Sequence, residues 1–196
     1  MTTRIIVPHR GLAASKTRLA PVLDAAEREA LAGRLLRRVL SVVVQVAPVV
    51  VISPAAELGP LVRGTGAMLE VQRGLGLNAG LEQARAQALA DGVLTLAVLH
   101  GDLPILEPDD VQALLDAVPP RGVAIGPDVN GQGTNALAMR PADAIPFRFG
   151  LGSCAAHRGE ARLADLPFVI VDRAGLAFDL DTPADLARWL EMGAAA

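Results

Sequence analysis

Short, nearly unbroken apolar runs alternate along the chain with amphipathic stretches of helical period, the pattern of strands covered on both faces by helices. Strand candidates are the runs at residues 4–8, 49–53, 67–71, 122–126 and 168–171, and residues 128–139 read as a loop entering another strand. Residues 24–40 form the clearest helix. Asp24 and Glu27 stand at capping-box spacing, and Ala30, Leu31, Leu35, Leu36, Val39 and Leu40 make one apolar stripe. Further helices are expected over residues 81–90, 108–118, 154–163 and 183–190. Strand and helix in alternation predict an α/β domain.

The run at residues 92–106 ends abruptly in Gly101-Asp102-Leu103-Pro104. It reads as a buried parallel strand that delivers one acid to its carboxyl end, where ligands sit in open α/β sheets. Taken alone, Asp102 serves equally well as a turn cap. Far downstream stand Asp179 and Asp181, and if residues 177–181 are extended both point to one side by the two-residue period. Thr182-Pro183 opens the last helix, and a capping role there explains only one of the two acids. With Asp102 the pair offers hard oxygen ligands suited to magnesium and a phosphate substrate.

The polar stretch after the first strand, residues 9–18, carries Arg10, Lys16 and Arg18, a cation set that suits an anion such as phosphate. Solvated loop cations are the bland alternative. Lys16 falls where a Walker A motif requires its second glycine, so residues 11–17 are not a P-loop. Arg73, Gly74, Gly76, Asn78 and Gly80 form a glycine-rich turn able to bring backbone donors close to a phosphate or a base. Ala79 stands where a dinucleotide fingerprint needs its third glycine. Thr134 and Asn135, at a loop-to-strand transition, suit contact with a small ligand or local capping. Residues 141–152 make a loop that can fold over a cleft, and Ser153 opens a helix whose N-terminus suits an anion. His157 has no second metal ligand at motif spacing, and Cys154 reads as a packing residue.

Composition narrows the partners. A net charge of -3 and 3% aromatic residues, with no tyrosine, speak against nucleic-acid binding. The lone Cys154 excludes an intramolecular disulfide, and no stretch is long and apolar enough to span a bilayer, so a cytoplasmic protein without a membrane partner is expected. The 196 residues fit one large domain or two small ones.

Five segments in order, Ser15-Lys16-Thr17-Arg18-Leu19, Gly101-Asp102-Leu103-Pro104, Gly133-Thr134-Asn135-Ala136-Leu137, Phe149-Gly150-x-Gly152-Ser153-x-x-x-His157 and Asp179-Leu180-Asp181-Thr182-Pro183, resemble the CofC/FbiD guanylyltransferases of coenzyme F-420 biosynthesis. The resemblance covers nearly the whole chain, although that family usually carries a lysine where Arg10 stands. It implies a single-domain three-layer α/β/α nucleotidyltransferase fold with a mostly parallel central sheet, spanning residues 1–196 with a flexible last few residues. The implied reaction moves GMP from GTP to phosphoenolpyruvate with release of pyrophosphate, 2-phospho-L-lactate and 3-phospho-D-glycerate being alternative acceptors. By resemblance Lys16, Arg18, Asp102, Asp179 and Asp181 are catalytic, the three aspartates hold Mg2+, and Arg10, Arg73, Gly74, Asn78 and Gly80 hold the nucleotide. Lys16, Thr134, Asn135, Gly150 and Ser153 would meet the acceptor, and a homodimer is compatible. A catalytically inactive nucleotide-binding scaffold is the alternative from another class.

Overall fold

The computed structural model describes residues 2–193; the tail expected at the carboxyl end lies outside them. Seven strands form one sheet in the order β3-β2-β1-β4-β6-β5-β7. They are β1 (Thr3–Pro8), β2 (Val49–Ser53), β3 (Met68–Val71), β4 (Thr95–Leu99), β5 (Gly122–Pro127), β6 (Thr134–Arg140) and β7 (Phe168–Ile170). β1 pairs in parallel with β2 and β4, while β6 runs antiparallel to both β4 and β5. The reversal matters for function, because the amino end of β6 joins the carboxyl ends of β1 and β4 at one rim.

Seven helices, α1 (Ala25–Val43), α2 (Gly59–Arg63), α3 (Leu77–Ala90), α4 (Pro108–Asp116), α5 (Ser153–Leu163), α6 (Ala174–Ala177) and α7 (Pro183–Glu191), complete the described chain, with short 3-10 turns at Thr17–Leu19 and Ala56–Leu58. The two-residue period of the strands divides the core. Ile5, Val7, Ala97 and Leu99 join Leu36, Val39 and Leu40 of α1 and Leu114 of α4 on one face; Ile6, Leu96 and Val98 join Leu81 and Ala84 of α3 and Cys154 of α5 on the other. This is the expected three-layer arrangement. A third cluster ties Leu31 and Leu35 of α1 to Phe178, Leu180 and Trp189 and so anchors the segment before α7. The Asp24–Glu27 capping box forms as expected, and a second joins Thr182 to Asp185 at the start of α7.

Two expectations need correction. Helix α3 starts at Leu77 rather than residue 81, with Gly76 at φ +89° as its N-cap. The early turn lacks apolar periodicity and is held instead by side-chain hydrogen bonds, the Gln72 amide donating locally to the Gly74 and Gly76 carbonyls and Asn78 pairing with the distant Phe149 backbone. Residues 177–181 are not extended throughout, because Ala177 ends the helical turn α6 and only Phe178 onward departs from it. Burial of Phe178 and Leu180 still alternates with Asp179 and Asp181, and the Leu180 N–H donates to the Asp102 carbonyl at 3.1 Å. That hydrogen bond brings the distant acids to the end of β4.

Leu36 supports the same place from beneath: it is fully buried, and a Cβ on Gly101 would lie 3.1 Å from its Cδ1. Leu36→Ala is expected to cost about 3 kcal/mol, read as a lower denaturant midpoint with unchanged slope. A loss under about 1 kcal/mol would contradict its place in the core.

Candidate active site

A cleft of about 860 Å³ opens at that rim. Its walls are the loop after β1, the turn after β4, the start of β6, the start of α5 and the segment before α7, which supply Lys16, Asp102, Thr134, Ser153 and Asp179. Of the residues expected to act, Arg10, Lys16, Arg18, Asp102, Thr134, Asn135, Gly150, Ser153, Asp179 and Asp181 all line it.

Lys16 is the pivot. Its backbone adopts the left-handed conformation at φ 56°, just before the turn that buries Leu19. The side chain, only 4% exposed, places Nζ 2.7 Å from Asp102 Oδ2 and 3.0 Å from Asp181 Oδ1. Burial works to lower the lysine's pKa, but the negative charges of Asp102 and Asp181 outweigh it and leave the ammonium harder to deprotonate than usual. Burial likewise works to raise Asp102; the Lys16 charge beside it prevails and holds the carboxyl below the usual range. Arg18 reaches Asp181 at 3.4 Å from the surface, with a side chain 73% exposed. Asp179 behaves oppositely: burial raises its pKa, the Asn135 amide partly opposes that, and the nearby charges of Asp102 and Asp181 raise it further.

The three carboxylates therefore meet, but not as the ready metal cage expected. Among the described residues no group of three His, Cys, Asp or Glu side chains forms one, because the Lys16 ammonium stands between Asp102 and Asp181. Asn135 also differs from expectation. Its amide donates to the Ala177 carbonyl at 3.0 Å and to Asp179 Oδ1 at 3.1 Å, so both hydrogens position Asp179 rather than reach for an acceptor.

The glycine-rich turn is displaced more. Arg73, Gly74, Asn78 and Gly80 do not line the cleft; Gln72, Gly76 and Leu77 do. Asn78 donates to the Phe149 carbonyl and accepts from the Phe149 N–H, each at 3.0 Å, and thereby clamps the loop over the cleft. Gly80 is required by close packing, since a Cβ there would lie 2.5 Å from Gln72 Oε1. His9, His100 and Gln132 also line the cleft without having been singled out. The signal for His9 and His100 was position alone, one residue past the carboxyl ends of β1 and β4.

Two histidines are held neutral. His9 Nδ1 accepts from the Gly11 N–H, and burial pushes its pKa down to about 4. His157, fully buried, is also pushed down to about 4, chiefly by burial. Above pH ~6.5 such a group is neutral folded or unfolded and adds nothing. Between that and about 4 the unfolded chain takes up a proton that the folded chain refuses, so stability falls with acid by up to roughly 3 kcal/mol for His157. Asp179, with its raised pKa, works in the opposite direction. Denaturation of wild type and His157→Gln at pH 7.5 and 4.5 cancels the common groups; the wild type should lose more stability on acidification, and equal losses would contradict the neutral assignment. Cys154 is buried with its thiol raised, again by burial, and it packs in the core rather than lining the cleft.

Known proteins resemble the chain in sequence and in fold. The model of the family described as "Guanylyl transferase CofC like" matches residues 3–195. A phosphoenolpyruvate guanylyltransferase from Sphaerobacter thermophilus is 44% identical over 189 residues, covering 95% of this chain and 91% of that protein. A 3-phospho-D-glycerate guanylyltransferase from Colwellia psychrerythraea is 30% identical over 189 residues, covering 95% and 90%. Among solved structures, a nucleotide-diphospho-sugar transferase described as putative, from Desulfovibrio desulfuricans G20, shares the fold at a TM-score of 0.82 and 20% identity, covering 100% and 90%.

Proposed function

The chain belongs to the CofC-like guanylyl transferase family, and from that premise we propose that it transfers GMP from GTP to phosphoenolpyruvate and releases pyrophosphate. The observation that carries the reading is the cleft in which Lys16, Arg18 and Arg10 stand beside Asp102, Asp179 and Asp181. A phosphate oxygen of the acceptor attacks the α-phosphorus of GTP; one P–O bond forms, the bond to the β-phosphate breaks, and pyrophosphate leaves with the electron pair. The attacking oxygen is already ionised near neutral pH, so the protein need supply no strong base. Its task is to hold two polyanions together and balance their charge.

The residues present fit magnesium. Among the described residues Asp102 Oδ1 is buried with no hydrogen-bond partner, and Asp179 is crowded by like charge, so two hard carboxylates stand without a full complement of donors. Magnesium uses one or two carboxylates together with substrate phosphates and water, so the missing three-acid cage is no obstacle. Asp102 and Asp179 would hold the ion, Asp181 would keep Arg18 and Lys16 in place, and the metal would supply charge neutralisation at the reacting phosphates. Thr134 and Ser153, buried and lining the same cleft, suit the phosphate or carboxylate of the acceptor. In this reading the reaction belongs to coenzyme F-420 biosynthesis in the cytoplasm; no helix of the described residues is long and apolar enough to cross a membrane.

The test offers GTP and Mg2+ with phosphoenolpyruvate, 2-phospho-L-lactate and 3-phospho-D-glycerate in turn, with pyrophosphate and the guanylylated product as readouts. Phosphoenolpyruvate should give the highest kcat/KM, and EDTA should abolish turnover that Mg2+ restores. Preference for another acid would replace the acceptor, and no turnover with any would reject the reading. Normal GTP binding in that last case would favour the inactive scaffold.

A further inference from the structure

His157 does not line the cleft, yet one ring nitrogen meets Thr134, which does, and the other meets the backbone N–H of Arg148, next to the cleft-lining Phe149. Nε2 lies 3.0 Å from the backbone N–H of Arg148. A backbone amide can only donate, so Nε2 must carry a lone pair, and in a neutral ring the proton then sits on Nδ1. Nδ1 lies 3.2 Å from Thr134 Oγ1. The Thr134 hydroxyl therefore accepts from His157 and cannot donate to it. Among the described residues the hydroxyl has no other hydrogen-bond partner, and Thr134 lines the cleft.

We propose that His157 is a positioning residue that holds the Thr134 hydroxyl as a donor aimed into the cleft, at the anionic group of the phosphorylated acid. The inference rests on the acceptor reading above for the identity of the ligand, although the hydrogen-bond direction does not. A threonine hydroxyl left to itself turns among three rotor positions and can spend its hydrogen on a neighbouring acceptor or on water. With Nδ1–H directed at the oxygen, the hydroxyl hydrogen is turned away from His157, which leaves it for an anion. The same ring holds the loop over the cleft. Its acceptor nitrogen fixes the Arg148 N–H, its edge meets the Phe149 ring at 4.9 Å between centroids and 72°, and Asn78 clamps the Phe149 backbone from the other side. One buried imidazole thus sets both a donor and the adjoining wall. The spacing from Ser153 to His157 is one helical turn, which puts the ring under the helix start that faces the same ligand.

Asparagine and glutamine separate the two jobs, because the asparagine amide overlays Nδ1 and the glutamine amide overlays Nε2. His157→Asn keeps a donor for Thr134 and loses the Arg148 contact; His157→Gln keeps that contact and loses the donor. Steady-state kinetics should give His157→Gln a KM for phosphoenolpyruvate roughly threefold to tenfold higher, with the GTP KM within twofold of wild type. Thr134→Val should raise it at least tenfold, as expected for a lost hydrogen bond to a charged group. His157→Asn should recover most of the acceptor KM, and Thr134→Val/His157→Gln should be no worse than Thr134→Val alone, since one residue acts through the other. Multiplying effects in the double variant, or acceptor and GTP KM rising together in proportion to a lowered Tm, would overturn the proposal. If the wild type guanylylates no phospho-acid, the acceptor reading has failed, and ring 15N NMR of the free protein at pH 7 judges the geometry by itself. A protonated Nδ1 with a bare Nε2 upholds the hydroxyl's direction; the opposite tautomer, or an imidazolium, overturns it.

Discussion

Asp102→Asn should lower kcat/KM by at least about 100-fold while leaving the protein folded, because the substitution removes a charge and a metal-competent oxygen without changing shape. Three features concentrate the effect at this residue. Its Oδ2 holds the Lys16 ammonium at 2.7 Å, its Oδ1 is buried and has no partner among the described residues, and its backbone carbonyl receives the Leu180 N–H that brings in Asp179 and Asp181. The backbone bond survives the substitution, so the rim keeps its architecture. Stability should change little, since Lys16 retains Asp181 at 3.0 Å and Asp179 is relieved of a repelling neighbour. Those opposing terms should keep the shift in Tm within a few degrees, against an activity change of two orders of magnitude. Turnover within threefold of wild type would remove Asp102 from the reaction. A collapse of Tm would make its role one of folding.

Gly175→Ala should be the most destabilising of the small substitutions, by about 3 kcal/mol and therefore roughly 6–12 °C in Tm. A Cβ at that position would overlap Asp110 Oδ2 and lie 2.7 Å from Asp110 Cγ and 3.2 Å from the Ile105 carbonyl. Asp110 cannot step aside cheaply. It is buried, accepts from the Glu107 N–H at 3.0 Å and from Arg173 Nε at 2.8 Å, and so closes the start of α4. Helix α6 would have to move instead, carrying the Ala177 carbonyl that orients Asn135 and the chain that leads to Asp179. Activity should fall with stability, and at a temperature where the variant is fully folded a residual loss in kcat should remain. A Tm within 2 °C of wild type would contradict the close packing of α6 on Asp110.

The elements that could be read directly from the residue order are those whose causes lie within a few residues. The apolar runs of β1 and β4, the apolar stripe of α1 and the Asp24–Glu27 box depend on local patterns and on side chains that reach only their own turn. Asp102 was legible for a related reason: an apolar run that stops at Gly-Asp must present its acid at a strand end. What needed the folded chain was every question of which distant group a polar atom meets. Asn78 had the chemistry of a nucleotide contact, yet its amide is spent on the Phe149 backbone, 71 positions away. Asn135 turned from the acceptor to Asp179, and Lys16 entered the space assigned to a metal, because sheet order brings residues 16, 102 and 181 to one rim. The tautomer of His157 was likewise beyond sequence reading, since it is dictated by a backbone amide in a loop and expressed on a strand. By itself the sequence determined the strand runs, the cores of the longer helices and the acid at the end of β4, because short-range sterics and burial leave few choices. Only the tertiary structure decided which polar groups neutralise one another and which remain free for a ligand, because those pairings depend on the order and direction of strands that local periodicity does not record.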